Sequence, residues 1–239
     1  MTEVVLAAHG TRNPDGATLV EELAAALAAR LGLPVHPAYA DVHGPTIADA
    51  LRRMPADRTP VLVPAFLSTG YHVHTDLPAQ IVLSGRTDTV TTPPVGPTPA
   101  LVTALTDRLG EAGARPGDAI VLGAAGSRDP AARAEAVTLA QALGDRLGTA
   151  VSVGWAASAR PTVAEAVAEL RSRGAQRVSA ATWLLAPGLF ADRITACGAD
   201  AAARPLGTHP ALVDVLVRRV EKTTRRPTTS PPPHPRTGA

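Results

Sequence analysis

Two histidines stand where apolar runs give way to loops. His9 closes Val4-Val-Leu-Ala-Ala8, and His72 ends Leu67-Ser-Thr-Gly-Tyr-His72, just after the run Val61 to Phe66. A neutral imidazole ligates a borderline divalent ion and, with an ordinary pKa of about 6.5, also accepts a proton near neutrality. A pair of them, with a carboxylate such as Asp41 or Asp76, suits Fe2+, Co2+ or Ni2+. A site with so few protein ligands is open, fit to hold a metal briefly and hand it on, unlike a closed structural zinc centre. Cys197 is the only cysteine, so neither a disulfide nor a thiolate cluster can form, and it reads as a small buried hydrophobe. His43 and His74 are weaker supporting candidates in the same loops. His36, between Val35 and Pro37, and His234 read as non-ligands, and His209 as the start of a helix. No phosphate-binding Gly-x-x-x-x-Gly-Lys or Gly-x-Gly-x-x-Gly follows the first strand, which leaves nucleotide cofactors without support.

The chain repeats itself, and the repeat acts as a control. His9-Gly-Thr-Arg-Asn-Pro14 returns as Ala125-Gly-Ser-Arg-Asp-Pro130, and Pro94-Val-Gly-Pro-Thr-Pro-Ala-Leu-Val102 as Pro205-Leu-Gly-Thr-His-Pro-Ala-Leu-Val213. In the register of the His9 motif Asp41 faces Ala157 and His43 faces Ala159, whereas Arg12 keeps Arg128; aligning the third-strand loops, Leu67-Ser-Thr-Gly-Tyr-His72 with Leu185-Ala-Pro-Gly-Leu-Phe190, sets His72 against Phe190. Glycines and prolines common to both copies are scaffold. Polar groups that only the first copy keeps are candidates for chemistry that one site per molecule suffices to perform.

The elements that must position these residues follow from the apolar pattern. Val4 to Ala8, Val35 to Ala40, Val61 to Phe66 and Thr87 to Thr91 read as strands. Gly10, Asn13, Pro14 and Gly16 read as a turn before a helix marked by Leu19, Leu23, Leu27 and Leu31 and stopped by Gly32 and Pro34. Pro45 is expected to open a second helix, Leu77 to Leu83 to form a third and Pro99 to Leu109 a fourth, and the order repeats from Ala119 to Val220. Strands alternating with helices predict an α/β fold of two tandem doubly wound domains, each a parallel four-stranded sheet flanked by helices. The expected domains are residues 1–115, carrying the site, and residues 116–221, a degenerate copy. With strand order 2-1-3-4, ligands bind at the carboxyl ends of the first and third strands, where His9 and the His72 loop lie.

Composition narrows the class further. Of 239 residues 45% are apolar but only 3% aromatic, and no run is long enough to span a bilayer. Met1-Thr-Glu leads straight into the first strand without a signal-peptide pattern, so a cytoplasmic location is expected. Lys222, Arg225, Arg226 and Arg236 sit in the acid-free last 18 residues; without them 19 basic side chains face 21 acidic ones. The body therefore lacks the basic stripe of a nucleic-acid binder. The tail, residues 222–239, reads as disordered.

The strand ending in His9-Gly-Thr, the loop Pro64-Ala-Phe-Leu-Ser-Thr-Gly-Tyr-His72 followed by Asp76-Leu-Pro78, and the two-copy layout together resemble the sirohydrochlorin chelatases in their long, internally duplicated form. The resemblance covers roughly Val4 to Val220. It implies two chelatase-type domains facing one cleft. It also implies insertion of Fe2+ or Co2+, as substrate metal, into sirohydrochlorin without nucleotide hydrolysis, no permanently bound cofactor, and metal-site histidines at His9 and His72. Short members of that family pair two subunits, so the duplication suggests a monomer.

Metal insertion requires two pyrrole N–H protons to leave while the ion sheds its waters, and imidazoles both ligate and accept protons. Asp41 or Asp76 would orient one of them. A substrate with eight carboxylates calls for arginines, for which Arg12, Arg86, Arg128 and Arg193 are the candidates. Sparse aromatics also favour a polyanionic substrate over an apolar one. The rival readings are a non-catalytic metal or tetrapyrrole carrier, a chelatase for a less carboxylated macrocycle, and a duplicated sugar- or nucleotide-binding protein, the last of which leaves the paired histidines unexplained.

Overall fold

Each half of the chain builds one parallel sheet. The computed structural model describes residues 2–42, 44–70 and 72–225, with His72 described in its backbone alone. In the first half β1 (Thr2–Ala8), α1 (Pro14–Leu31), β2 (Val35–Tyr39), α2 (Ile47–Arg53), β3 (Thr59–Pro64), α3 (Leu77–Ser84), β4 (Val90–Thr91) and α4 (Pro99–Glu111) follow one another. The second half repeats this as β5 (Ala119–Ala124), α5 (Pro130–Leu147), β6 (Val151–Trp155), α6 (Val163–Ser172), β7 (Val178–Trp183), α7 (Leu189–Thr195), β8 (Ala201–Ala202) and α8 (Pro210–Thr224). The sheet orders are β2-β1-β3-β4 and β6-β5-β7-β8, parallel throughout. This is the α/β class and the strand order that the sequence predicts.

Several boundaries differ from the sequence reading. Pro14 and Gly16 belong to the first turn of α1, because the Asn13 side chain caps that helix by accepting the Asp15 N–H at 2.9 Å and proline is tolerated at its first position. Pro45 lies outside α2; Thr46 is the cap, and the Pro45 carbonyl accepts the Tyr39 N–H instead. The fourth strand spans only Val90–Thr91. At the carboxyl end α8 continues to Thr224, so Lys222–Thr224 are helical rather than tail; Val215, Leu216, Val217 and Val220 give this helix an apolar face to bury. The rest of the predicted tail from residue 226, with His234, lies outside the described residues. Among the described residues no helix is long and apolar enough to cross a membrane.

Both faces of each sheet are covered, as strands apolar on both sides require. Val5, Ala7 and Leu62 pack outward against Ile47, Leu51 and Leu77 of α2 and α3. Val121 and Val178 do the same under Val163, Val167 and Ile194 of α6 and α7. The inner faces share one core, in which Leu6, Val63, Leu23 and Leu27 join Leu105, Leu122, Leu139, Leu143, Leu212 and Leu216. Within that core the last helix of each half crosses over. α4 lies on β7 of the second sheet, and α8 lies on β3 of the first, against α1 and α4. Arg108 ties the crossing, donating to the Leu206 carbonyl at 2.7 Å while its other amino group bonds Glu111.

Candidate active site

The strand ends are shaped by one close approach that both halves share. The Asp41 N–H donates to the His9 carbonyl at 3.0 Å, and the Ala157 N–H to the Ala125 carbonyl at 2.9 Å, so each first strand stays paired one step past its end. A Cβ on Gly10 would stand 2.1 Å from the Asp41 carbonyl oxygen, and one on Gly126 1.8 Å from that of Ala157; both glycines have positive φ, +94° and +95°. Only glycine fits there. The turn that follows is alike as well, with Val42 and Ser158 at positive φ and cis peptide bonds before Pro45 and Pro161.

Between the two sheets, at the carboxyl ends of their strands, opens a cavity of about 430 Å³, within the usual range for small-ligand sites. Its first-half wall comprises Ala8, His9, Gly10, Thr11, Phe66, Leu67, Ser68, Gly70 and Val73. Trp155, Trp183, Leu185, Pro187 and Phe190 form the wall from the second half. Four of the chain's six aromatic side chains thus line one cavity, so the few aromatics that the sequence holds are concentrated at the site. Aromatic faces offer a large apolar area suited to a flat ligand. Among the described lining residues His9 is the one ionisable side chain, and it is exposed.

The predicted residues fall into three groups. His9, the Asp41 turn and the segment with His72 converge at the ends of β1, β2 and β3. His72 begins a single π-helical turn, His72–Asp76, that leads into α3, with the Gly70 carbonyl accepting the Val73 N–H at 3.0 Å. The Asp41 carboxylate accepts the Val42 N–H at 2.7 Å. His74 is exposed in the π turn, and Asp76 precedes α3. His43 and the His72 side chain lie outside the described residues. Among the described residues no three His, Cys, Asp or Glu side chains gather closely enough to hold a metal.

Arg12 and Arg128 are exposed beside the cavity residues Thr11 and Ser127. Arg193 donates to the Ala156 carbonyl at 2.9 Å and stacks over Phe190 at 5.9 Å, at the cavity edge. Arg86 is a correction. It follows α3 at the opposite, amino-terminal end of the sheet, where it donates to the Met54, Pro55 and Arg58 carbonyls and pairs with Asp88. So many carbonyl partners make it a loop clamp, away from the cavity. His36 bonds Glu3 at 3.1 Å, and His209 caps α8 by accepting the Ala211 N–H. Cys197 is buried. Tyr39, whose place Trp155 takes in the second half, has its phenol pKa pushed up by burial and by the nearby Glu21 carboxylate, so it stays neutral.

Sequence reasoning missed Glu135. From α5 it reaches the His72 loop, its carboxylate accepting the Thr69 N–H at 3.1 Å and the Thr69 hydroxyl. The signal was available in the two copies but ran the other way, since Glu135 aligns with Leu19 of the first.

Among solved structures, SirB from Bacillus subtilis with Fe3+ is similar at a TM-score of 0.80 and 21% identity, covering 94% of this chain and 96% of that one. The sirohydrochlorin chelatase SirB from Bacillus subtilis subspecies spizizenii, in complex with cobalt, is similar at 0.78 and 20% identity, over 95% and 96%. CbiX, described as the terminal enzyme of sirohaem biosynthesis in denitrifying bacteria, gives 0.72 and 22% identity, over 92% and 98%. No curated protein sequence matches the chain. The CbiX family profile matches twice, over residues 3–112 and again over 119–223, once for each sheet and its helices, and by this match across both halves the chain belongs to the CbiX family.

Proposed function

We propose that this protein is an ATP-independent sirohydrochlorin chelatase that inserts a divalent metal into the macrocycle at the cavity between the carboxyl ends of its two sheets. Fe2+ for sirohaem is the favoured substrate metal, and Co2+ for cobalamin the alternative. The observation that carries this reading is the asymmetric cavity. One wall presents His9 and the loop of His72, and the facing wall presents Trp155, Trp183 and Phe190. A flat tetrapyrrole lies against the aromatic wall with its ring nitrogens turned toward the imidazoles. Membership of the CbiX family and the metals held by the SirB structures support it.

In this mechanism His9 and His72 hold the incoming ion after it sheds water. As pyrrole nitrogens replace them around the metal, the imidazoles are freed to take up the departing N–H protons. Asp41, beside His9 through the backbone, and Asp76 provide carboxylates that orient the rings or pass protons to solvent. Arg12, Arg128 and Arg193 at the rim meet the substrate's carboxylates. The second half covers the inner face of the first within one chain, and we assign a cytoplasmic monomer.

The test is anaerobic mixing of protein with sirohydrochlorin and Fe2+ or Co2+, followed by visible spectroscopy beside His9→Ala and His72→Ala. Turnover that both substitutions abolish supports the reading, and the faster metal ranks iron against cobalt. Binding of metal or macrocycle without acceleration over the uncatalysed rate would replace it with a carrier.

A further inference from the structure

We infer that Glu135, on the degenerate half, is a positioning residue for the metal-site loop of the other half. The inference rests on the chelatase reading for its kinetic consequence but on geometry for the contact itself. Glu135 projects from the second turn of α5. Its neighbours on that helix, Ala132 and Ala136, line the cavity, whereas Glu135 stands behind the wall and grips Thr69, the residue between the lining residues Ser68 and Gly70. Both carboxylate oxygens are engaged, one by the Thr69 N–H and one by its hydroxyl. Bonds to an ionised acceptor are roughly twice as strong as neutral ones. The next residue, Gly70, supplies the carbonyl that starts the π turn by accepting the Val73 and His74 N–H groups at 3.0 and 3.4 Å. The latch therefore holds the backbone at Thr69, next to the carbonyl from which the His72–Asp76 turn starts, and through it the position of that turn.

The duplication sharpens the point. At the related position of the first half α1 carries Leu19 and the facing loop carries Pro187, which have neither an acceptor nor an N–H to make this contact. That reverse brace is steric, with Gly16 beside the Pro187 carbonyl and Gly188 beside the Thr11 hydroxyl. The carboxylate grip serves only the loop with the histidine. The half without histidines at the matching positions thus makes a polar contribution to the site.

The experiment compares Glu135→Ala, Glu135→Gln and Thr69→Val with the wild type, measuring KM for metal, KM for macrocycle, kcat, and amide hydrogen exchange over residues 67–76. Glu135→Ala is expected to weaken metal use about 10- to 100-fold, the range for losing a residue that orients a ligand. Macrocycle KM should stay unchanged, and exchange should quicken in residues 67–76 alone. Glutamine, which accepts from the N–H and donates to the hydroxyl oxygen, should restore both readouts, while Thr69→Val, which keeps the N–H, should fall between. Wild-type kinetics and exchange in Glu135→Ala would overturn the inference. So would a glutamine variant as impaired as alanine, since the charge would then act by another route. If the wild type inserts no metal the chelatase reading fails, but the exchange data still decide whether the latch holds the loop.

Discussion

The crossing of α4 and α8 makes a strong prediction about cutting the chain. Residues 1–115 look like a domain in sequence, yet their sheet is covered on the inner face by α8, which belongs to residues 116–225. α8 buries Leu212, Val213, Val215, Leu216, Val217 and Val220. At about 1.5–3 kcal/mol for each such side chain, their burial contributes roughly 9–18 kcal/mol, an upper figure because an unfolded chain already hides some apolar surface. Even the lower end consumes most of a typical total stability of about 5–15 kcal/mol. Removing α8 also exposes Val61 and Val63 of β3. Residues 116–225 suffer the reciprocal loss, since Leu101, Ala104 and Leu105 of α4 leave the core they share. Produced separately, neither fragment should show a cooperative thermal transition by circular dichroism; produced together, they should assemble and melt in one transition. An isolated 1–115 fragment that melts cooperatively near the midpoint of the whole chain would refute the reasoning, because α4 would then have folded back onto its own sheet at no cost.

Three further outcomes are expected. Gly126→Ala forces a Cβ against the Ala157 carbonyl at φ +95° and should cost at least about 2 kcal/mol, or roughly 4–8 °C in Tm, by calorimetry; an unchanged Tm would mean the turn has another arrangement. Burial alone would raise the Asp118 carboxyl, but the Ser179 hydroxyl, the Arg115 N–H and the Arg177 guanidinium outweigh it and hold its pKa below the usual carboxylate value. A folded pKa below the unfolded one adds stability above about pH 4 that is lost as pH falls through the folded value. Asp118→Asn should therefore be less stable at neutral pH and lose less on acidification in denaturant titrations, and parallel pH slopes would contradict this assignment. Because Trp155 and Trp183 both line the cavity, one macrocycle per chain should quench both emissions; Trp155→Phe should leave the residual signal as fully quenched, and a persistent unquenched component would put the ligand elsewhere.

The strand order and the meeting of His9 with the His72 loop were legible because buried parallel strands are continuous apolar runs and the switch point follows from their order. Boundaries were less legible where one residue serves two roles. Pro14 after Asn13 is equally a turn residue and the first residue of a capped helix, and the cap decided it; Pro45 failed as a helix start because Thr46 has the hydroxyl that caps. Beyond the nearby Asp88, Arg86 carried little sequence signal separating a loop clamp from a substrate ligand, since its other partners are three backbone carbonyls. The exchange of α4 and α8 was invisible for a more general reason. An amphipathic pattern specifies which face is buried but not which sheet receives it, and two copies of one fold present nearly the same receiving surface.

Comparing the copies in one direction found the histidines and missed Glu135, and the reason lies in the geometry. The halves face each other across the cavity, so the loop before His72 has one wall made by its own half and its brace made by the other. The absence of His9, Asp41, His43 and His72 counterparts from the second copy changes a wall; that copy's helix α5 is still packed behind the first copy's loop. The differences between the copies that bear on the site therefore fall in both halves, and in the second half they are side chains that the first half lacks. Phe190 and Trp155 are differences of the same kind, standing where the first copy has His72 and Tyr39 and making the facing wall apolar. In the proposed chelatase that wall would exclude water from one face of the macrocycle, while the exposed Arg12 and Arg128 at the rim would meet its carboxylates. In the proposed reaction one pair of imidazoles serves the one metal-binding centre of the planar ring, and the aromatic surface across the cavity would hold the ring against that pair.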